Sequence, residues 1–198
     1  MNANPFAVFN LEPGPALDEA ALKERFARST ADLHPDKFQQ EPEPERTAAE
    51  AHYAELNRAY QTLIDPRQRL LALYELTKGE KPRDVQRIPP GTMDLFVEVG
   101  QACQKLDQFL ERKRSAGRLE RAGLMSEEMA LQDVLTALRG KLETLGATLE
   151  NDLAALDARW CAGEKDLNAL EAIYRKYSYL ARWRQQIEER EIALMTGE

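Results

Sequence analysis

The sequence has little cysteine or histidine, which limits the sites it can form. Its 198 residues include two cysteines, Cys103 and Cys161, and two histidines. Two isolated cysteines make neither a disulfide framework nor a zinc site, and nothing near either of them in the sequence would activate a thiol. We therefore expect both to be packing residues, in a protein of the reducing cytoplasm.

The chain also lacks a basic excess and a long apolar run. Its formal net charge is −7, whereas a nucleic-acid partner requires a basic face. No apolar run approaches the length of a membrane span, and no signal-peptide or transit-peptide pattern opens the sequence. A hydrophobic share of 43% with a charged share of 31% is instead typical of a soluble, helix-rich globular protein.

Proline is absent from the second half of the chain. All ten prolines lie at or before Pro90, and a proline inside a helix costs about 3 kcal/mol or more. The sequence therefore predicts short elements followed by long helices, in an all-α fold of two units. We place the first unit at residues 1–76, a linker at 77–91 and the second unit at 92–198.

The first unit is predicted to be a short apolar element followed by three helices. Asp18 suits the N-cap of the first helix. The second helix runs to about Ile64, where Asp65-Pro66 ends it, and a shorter helix covers Arg67–Leu76. Helical spacing of apolar residues supports these assignments; the positions are Phe6, Phe9, Leu11, Leu22, Phe26, Leu33, Leu56 and Leu63.

A stiff polar loop separates the first two helices. Proline at position 35 ends the upstream helix, because it removes a backbone donor and disfavours helical geometry at His34. We expect the loop to present His34, Asp36 and Lys37 to a partner, while Phe38 turns back to the core. Cations on the preceding helix, opposite its apolar stripe, lead toward the loop: Lys23, Arg25 and Arg28.

Catalysis by His34 and Asp36, as in a hydrolase, is the weaker interpretation. No nucleophile, oxyanion loop, phosphate-binding glycine loop or metal-ligand set accompanies them. His52 is predicted to be a partly buried surface histidine, because the sequence offers no second metal ligand beside it. We therefore expect neither an enzyme nor a cofactor.

The second unit is predicted to be a three-helix bundle. Three amphipathic patterns separated by two breaks can bury their apolar stripes against one another. Thr92 is a plausible cap for the first pattern, and Gly163 ends the second. The repeating positions are Phe96, Val99, Cys103, Leu106 and Leu110; then Leu131, Leu135, Leu138, Leu142, Leu145, Leu149, Leu153, Leu156 and Trp160; then Leu167, Leu170, Tyr177, Leu180 and Ile187.

Three segments of the first unit resemble the J-domain, and within that group the HscB type. They are Pro5-Phe6-Ala7-Val8-Phe9-Asn10-Leu11, His34-Pro35-Asp36-Lys37-Phe38 and Leu56-Asn57-Arg58-Ala59-Tyr60-Gln61-Thr62-Leu63. The resemblance implies an antiparallel helix hairpin with a His-Pro-Asp loop, which stimulates ATP hydrolysis by a DnaK-class (HscA-type) chaperone without performing chemistry itself. The chaperone-binding residues it implies are His34, Pro35, Asp36, Lys37, Lys23, Arg25 and Arg28.

HscB-type proteins are co-chaperones of iron–sulphur cluster assembly, so the resemblance also implies a scaffold partner of the IscU-like kind. Arg175–Trp183 resembles the family segment that carries a scaffold-binding aromatic residue, here Tyr179. On the first helix of the second unit, the positions corresponding to the family's contacts are Phe96, Val97, Gly100, Gln101 and Gln104. There a family leucine is replaced by glycine and two acids by amides, while Glu98 keeps a charge nearby.

Two interpretations of the second unit stay open at this point. It delivers the scaffold protein to the chaperone, or it serves a different client or a purely architectural role. The first requires Phe96, Val97 and Tyr179 to form one exposed apolar patch. The leucine-rich helix could also mediate oligomerisation.

Overall fold

The computed structural model describes residues 4–31, 35–38, 42–82 and 88–196, and these residues are helical with no strand. They confirm the all-α prediction. In chain order the elements are α1 Pro5–Val8, α2 Glu19–Ala31, a 3₁₀ turn at Pro35–Phe38, α3 Glu43–Ile64, α4 Pro66–Lys78, α5 Met93–Ser115, α6 Arg118–Gly123, α7 Met125–Cys161 and α8 Leu167–Thr196.

Local side-chain caps explain why two of the first helices begin where they do. The carboxylate of Asp18 accepts a hydrogen bond of 3.0 Å from the Ala21 amide, which satisfies one of the orphan donors of α2. The carboxylate of Asp65 accepts from the Arg67 amide at 2.8 Å, and Pro66 occupies the first turn of α4. These two predicted boundaries are confirmed.

The first compact unit has its core around α3, which packs against α1, α2 and α4. Phe6, Leu22, Leu63 and Leu70 are completely buried there. A buried cation also belongs to this unit: Arg69 is 3% exposed and donates to the backbone carbonyls of Pro15, at 2.9 Å, and Leu63.

This first unit contains more of the chain than the predicted boundaries include. Asp152–Tyr174, the end of α7 and the start of α8, groups with residues 1–84 rather than with the bundle. The Ala16 amide donates to the Asp157 carboxylate at 3.0 Å, and the Tyr74 hydroxyl donates to Glu171 at 3.2 Å. Proline content gave no indication of this division, because it occurs inside two uninterrupted helices.

The second compact unit comprises residues 85–151 and 175–198. Its core is formed by α5 and by the parts of α7 and α8 that belong to it, as predicted for a three-helix bundle. Within it, Leu106, Phe109, Leu142 and Leu149 are 1% exposed or less. The short helix α6 was not predicted; it follows Gly117, whose amide donates to the Glu120 carboxylate at 2.9 Å.

Three local predictions are wrong. His52 is exposed rather than partly buried, and Cys161 is exposed rather than packed. Thr92 stands before α5 but does not cap it with its side chain, because its hydroxyl donates to the Pro89 carbonyl at 2.8 Å. The Cys103 prediction is confirmed, since its side chain lies in the bundle core.

Candidate functional site

The predicted chaperone-binding loop is only partly within the described residues. His34 lies outside them, and so do the side chains of Pro35 and Asp36, whose backbone forms the 3₁₀ turn with Lys37 and Phe38. Lys37 is exposed and Phe38 is partly buried. The turn packs against α3.

The three cations predicted to share a face of α2 do not share one. At about 100° per residue, Lys23 and Arg25 point about 160° apart around the helix. Arg25 and Arg28 line a recess of about 350 Å³ beside the end of α1. Lys23 instead borders an apolar groove of about 590 Å³ between α2 and α3; its other lining residues are Phe26, Ala27, Thr30, Ala31, Tyr53 and Tyr60.

Arg25 has a structural role that the sequence did not indicate. One of its guanidinium nitrogens donates to the carbonyls of Phe9, at 2.8 Å, and Asn10, at 3.2 Å. The guanidinium group of Arg25 therefore holds the end of α1 against α2. Arg28 contrasts with it, because its ion pair with Glu24, at 3.4 Å, leaves both side chains 70% exposed. Of the α2 cations, Lys23 and Arg28 are the exposed ones.

The predicted scaffold-binding positions of α5 lie on its solvent side. Phe96 is 42% exposed and Val97 is 45% exposed. Gly100, Gln101 and Gln104 are exposed as well. A Cβ atom placed on Gly100 would have no heavy atom within 4 Å, so the surface is open above this residue.

Charged residues of α5 near this surface are paired with the neighbouring helices. Glu98 forms an ion pair with Lys141 of α7. Asp107 accepts a hydrogen bond of 2.8 Å from Arg190 of α8, and this bond raises the pKa of the guanidinium. Burial raises the pKa of the nearby Cys103 thiol, so that thiol stays protonated and is not a nucleophile near neutral pH.

Tyr179 lies at the same height along the bundle as Phe96. Two contacts set the register: Arg190 with Asp107, and Lys113 with the Leu194 carbonyl at 3.4 Å. Partner numbers increase together, so α5 and α8 run parallel. Tyr179 and Phe96 each precede the Arg190–Asp107 pair by 11 residues, about three helical turns, and therefore lie on the same sides of α8 and α5 as that pair.

The surroundings of Tyr179 limit how much of it a partner can contact. Its ring is partly buried, with a centroid 5.5 Å from that of Trp183 and 5.6 Å from the guanidinium of Arg182. The expected patch is therefore made mainly by Phe96 and Val97, with Tyr179 at its margin. Sequence periodicity could not show this, because the burial of Tyr179 depends on the neighbouring helices.

The described residues contain neither a membrane-spanning helix nor a metal-binding cluster. None of the helices there combines the length and the apolar content needed to cross a membrane. In the same residues, no group of three or more histidine, cysteine, aspartate or glutamate side chains is close enough to hold a metal ion.

Comparison with known proteins identifies a domain at the N-terminal end of the described chain and relatives that extend beyond it. The DnaJ domain family model matches residues 4–72. A co-chaperone protein HscB homologue of Haemophilus ducreyi is 32% identical over 124 residues, which cover 63% of this chain and 69% of that protein.

Two solved structures share the fold. Human co-chaperone protein HscB superposes with a TM-score of 0.66 at 19% identity, over 95% of this chain and 82% of that one. The chaperone HscB from Vibrio cholerae superposes with a TM-score of 0.59 at 23% identity, over 96% and 99%. With the J-domain match and the identity to the H. ducreyi protein, these similarities show that the chain belongs to the HscB family of J-domain co-chaperones.

Proposed function

We propose that this co-chaperone stimulates the ATPase of a DnaK-class (HscA-type) chaperone and delivers to it an iron–sulphur scaffold protein of the IscU-like kind. The observation that carries the proposal is the J-domain match over residues 4–72, which contains the His34-Pro35-Asp36 motif in the sequence between α2 and α3. The second unit supplies a separate exposed surface on α5, to which we assign the scaffold.

The chaperone contact is made by α2 and the loop. Lys23, Arg28 and Lys37 are exposed and together raise the positive potential around α2 and the loop, which attracts an acidic surface of the ATPase domain in a salt-sensitive way. Lys23 and Arg28 point about 140° apart around α2, so they steer the approach from different sides of the helix. The Asp36 carboxylate accepts a charge-assisted hydrogen bond from an arginine of the chaperone. These contacts favour one conformation of the chaperone over another, which is how a binder without catalytic groups changes a rate.

Arg25 contributes to this surface indirectly. Its bonds to the Phe9 and Asn10 carbonyls hold α1 against α2. We therefore propose that Arg25 maintains the shape of the recess that Arg28 also lines. This proposal refines the prediction from sequence, in which Lys23, Arg25 and Arg28 are all chaperone-binding residues.

The scaffold contact is assigned to the outer face of α5 and to the margin of Tyr179. Phe96 and Val97 are about half exposed there, and large apolar side chains in such positions are enriched at protein interfaces. Delivery is part of the proposal because it assigns the chaperone and the scaffold to different compact units of one chain.

The test measures ATP hydrolysis by a purified DnaK-class chaperone in single turnover, with and without this protein. His34→Gln is expected to abolish stimulation while circular dichroism and melting temperature stay unchanged. His52→Gln is the matched control, since His52 is the second histidine, is exposed and lies on α3 of the same unit. Full stimulation by His34→Gln would refute the chaperone assignment.

The scaffold arm of the same experiment measures binding of a purified iron–sulphur scaffold protein. Phe96→Ser should weaken it, whereas Val134→Ser should not, because Val134 on α7 is equally exposed at 43% but lies outside the assigned face. A wild-type protein that does not bind the scaffold would refute the delivery step and leave the ATPase result standing.

A further inference from the structure

The loop between α1 and α2 is held at two consecutive residues by charged side chains from two other helices. The guanidinium of Arg69 on α4 donates to the Pro15 carbonyl at 2.9 Å. The carboxylate of Asp157 on α7 accepts a hydrogen bond of 3.0 Å from the Ala16 amide. These two bonds, which we call the loop clamp, fix the backbone on both sides of one peptide link.

The loop backbone lies close to the Asp157 side chain. A Cβ atom placed on Gly14 would lie 3.4 Å from a carboxylate oxygen of Asp157, and Pro15 is buried. The bond from the Ala16 amide is partly buried as well. A hydrogen bond to an ionised carboxylate is roughly twice as strong as one between neutral groups, so Asp157 restrains the loop at this point.

The loop clamp lies directly before the helix that carries the exposed cations. Ala16 is two residues before Asp18, which caps α2 through the Ala21 amide, so the clamp constrains where α2 starts. Lys23 and Arg28 of α2 are exposed, and the His-Pro-Asp motif follows the helix in the sequence. A displacement of the loop therefore displaces the surface assigned to the chaperone.

Asp157 lies outside the domain that carries this surface. The DnaJ domain match ends at residue 72 and includes Arg69, whereas Asp157 belongs to residues 152–174, the parts of α7 and α8 that group with the first compact unit. One bond of the loop clamp is therefore internal to the J-domain. The other comes from a helix that follows the J-domain in the chain.

We propose that Asp157 is a positioning residue for chaperone stimulation: its bond to Ala16 keeps the loop, and with it the start of α2, in the conformation that the chaperone binds. The proposal rests on the proposed function, because it concerns the same ATPase stimulation. Without this bond the loop adopts other conformations, and the chaperone binds only the molecules with the correct one. The apparent affinity falls by the fraction of such molecules, while the complex that forms is unchanged.

The test measures single-turnover ATP hydrolysis by a purified DnaK-class chaperone over a range of concentrations of the full chain. Asp157→Ala should raise the concentration for half-maximal stimulation about threefold or more and leave the maximal rate within about twofold of the wild-type rate. Asp157→Asn should restore the wild-type concentration, because the amide oxygen of asparagine still accepts a hydrogen bond. Circular dichroism at the assay temperature establishes that each variant is folded.

Asp166→Ala is the matched control. The Asp166 carboxylate accepts hydrogen bonds from the Asn168 and Ala169 amides, both at 3.0 Å, so this variant also removes a carboxylate–amide contact from residues 152–174 but leaves the loop untouched. A purely structural role of Asp157 predicts the same half-maximal concentration for both variants. That result would overturn the proposal, and so would a lower maximal rate of Asp157→Ala at an unchanged half-maximal concentration.

Hydrogen exchange of the Ala16 amide is a second readout that does not depend on the folding of a variant. This amide should be protected in the wild-type protein, and exchange at the rate of an unstructured peptide would overturn the proposal. The ATPase assay separates the role of Asp157 from the function beneath it. A wild-type protein that does not stimulate the chaperone refutes the proposed function and this proposal with it, whereas stimulation that Asp157→Ala leaves unchanged refutes only the role of Asp157.

Discussion

Arg25 links the shape of the predicted chaperone surface to the stability of the first unit. One guanidinium nitrogen donates to the Phe9 and Asn10 carbonyls at 2.8 and 3.2 Å. Phe9 is 3% exposed, and Asn10 has a φ of 50°, a left-handed conformation that is uncommon for residues other than glycine. We predict that Arg25→Gln destabilises this unit, because both carbonyls lose their charged donor.

The expected loss of unfolding free energy in Arg25→Gln depends on how exposed Arg25 is. A hydrogen bond to a charged group contributes about 1.5–3 kcal/mol when it is shielded from water. Arg25 is only partly buried, so water replaces part of each bond in the variant, and we expect a loss of about 1–2 kcal/mol for the two together. Arg28→Gln is the control: its pair with Glu24 is 70% exposed on both sides, and such pairs contribute under about 0.5 kcal/mol.

The two tryptophans make the measurement specific to one unit. Trp160 is buried in the first unit and Trp183 in the second, and the chain has no others. In a Trp183→Phe background, fluorescence during urea unfolding reports only on the first unit. The prediction is refuted if Arg25→Gln, like Arg28→Gln, unfolds with the same urea midpoint and the same slope as the Trp183→Phe parent, because the bonds of Arg25 would then contribute nothing to stability.

Two further predictions concern buried groups. Arg69→Met should destabilise the first unit by about 2–4 kcal/mol in the same assay, because the Pro15 and Leu63 carbonyls lose a buried donor; a change under about 0.5 kcal/mol would contradict this. Burial raises the pKa of Cys103 above its ordinary value of 9.0, so the unfolded thiol ionises first and stability falls as pH rises above about 9. Cys103→Ala should remove that decline, whereas Cys161→Ala should not, because Cys161 is exposed.

The sequence predicted those features that depend on neighbouring residues along the chain. Asp18 and Asp65 cap helices through amides two or three residues away, and the leucines of α7 named above recur at intervals of three or four. The role of Arg25 could not be predicted in this way, since its acceptors lie 15 and 16 residues earlier. Its separation from Lys23 around α2, by contrast, follows from the helical period alone.

The helical period predicts only part of the exposure of the α5 face. Periodicity separates Val99, Cys103 and Leu106, which are buried, from Val97, which is exposed. The spacing places Phe96 in the apolar repeat, however, and the structure leaves it 42% exposed. Its exposure depends on where α8 lies, and that position is set by contacts such as Asp107 with Arg190 rather than by α5 alone.

The division of α7 shows why a pattern of burial does not identify a domain. Leu142, Leu149 and Leu156 follow one another at seven-residue intervals and are each 1% exposed or less. The first two pack in the second unit, whereas Leu156 belongs to the first. An apolar stripe predicts that its positions are buried, but it does not show which residues bury them. Burial against any apolar neighbour is equally favourable, because the hydrophobic effect has no direction. A fragment that ends at residue 76 therefore lacks Asp157 and Glu171, which accept hydrogen bonds from the Ala16 amide and the Tyr74 hydroxyl, and it is not equivalent to the first unit of the intact chain.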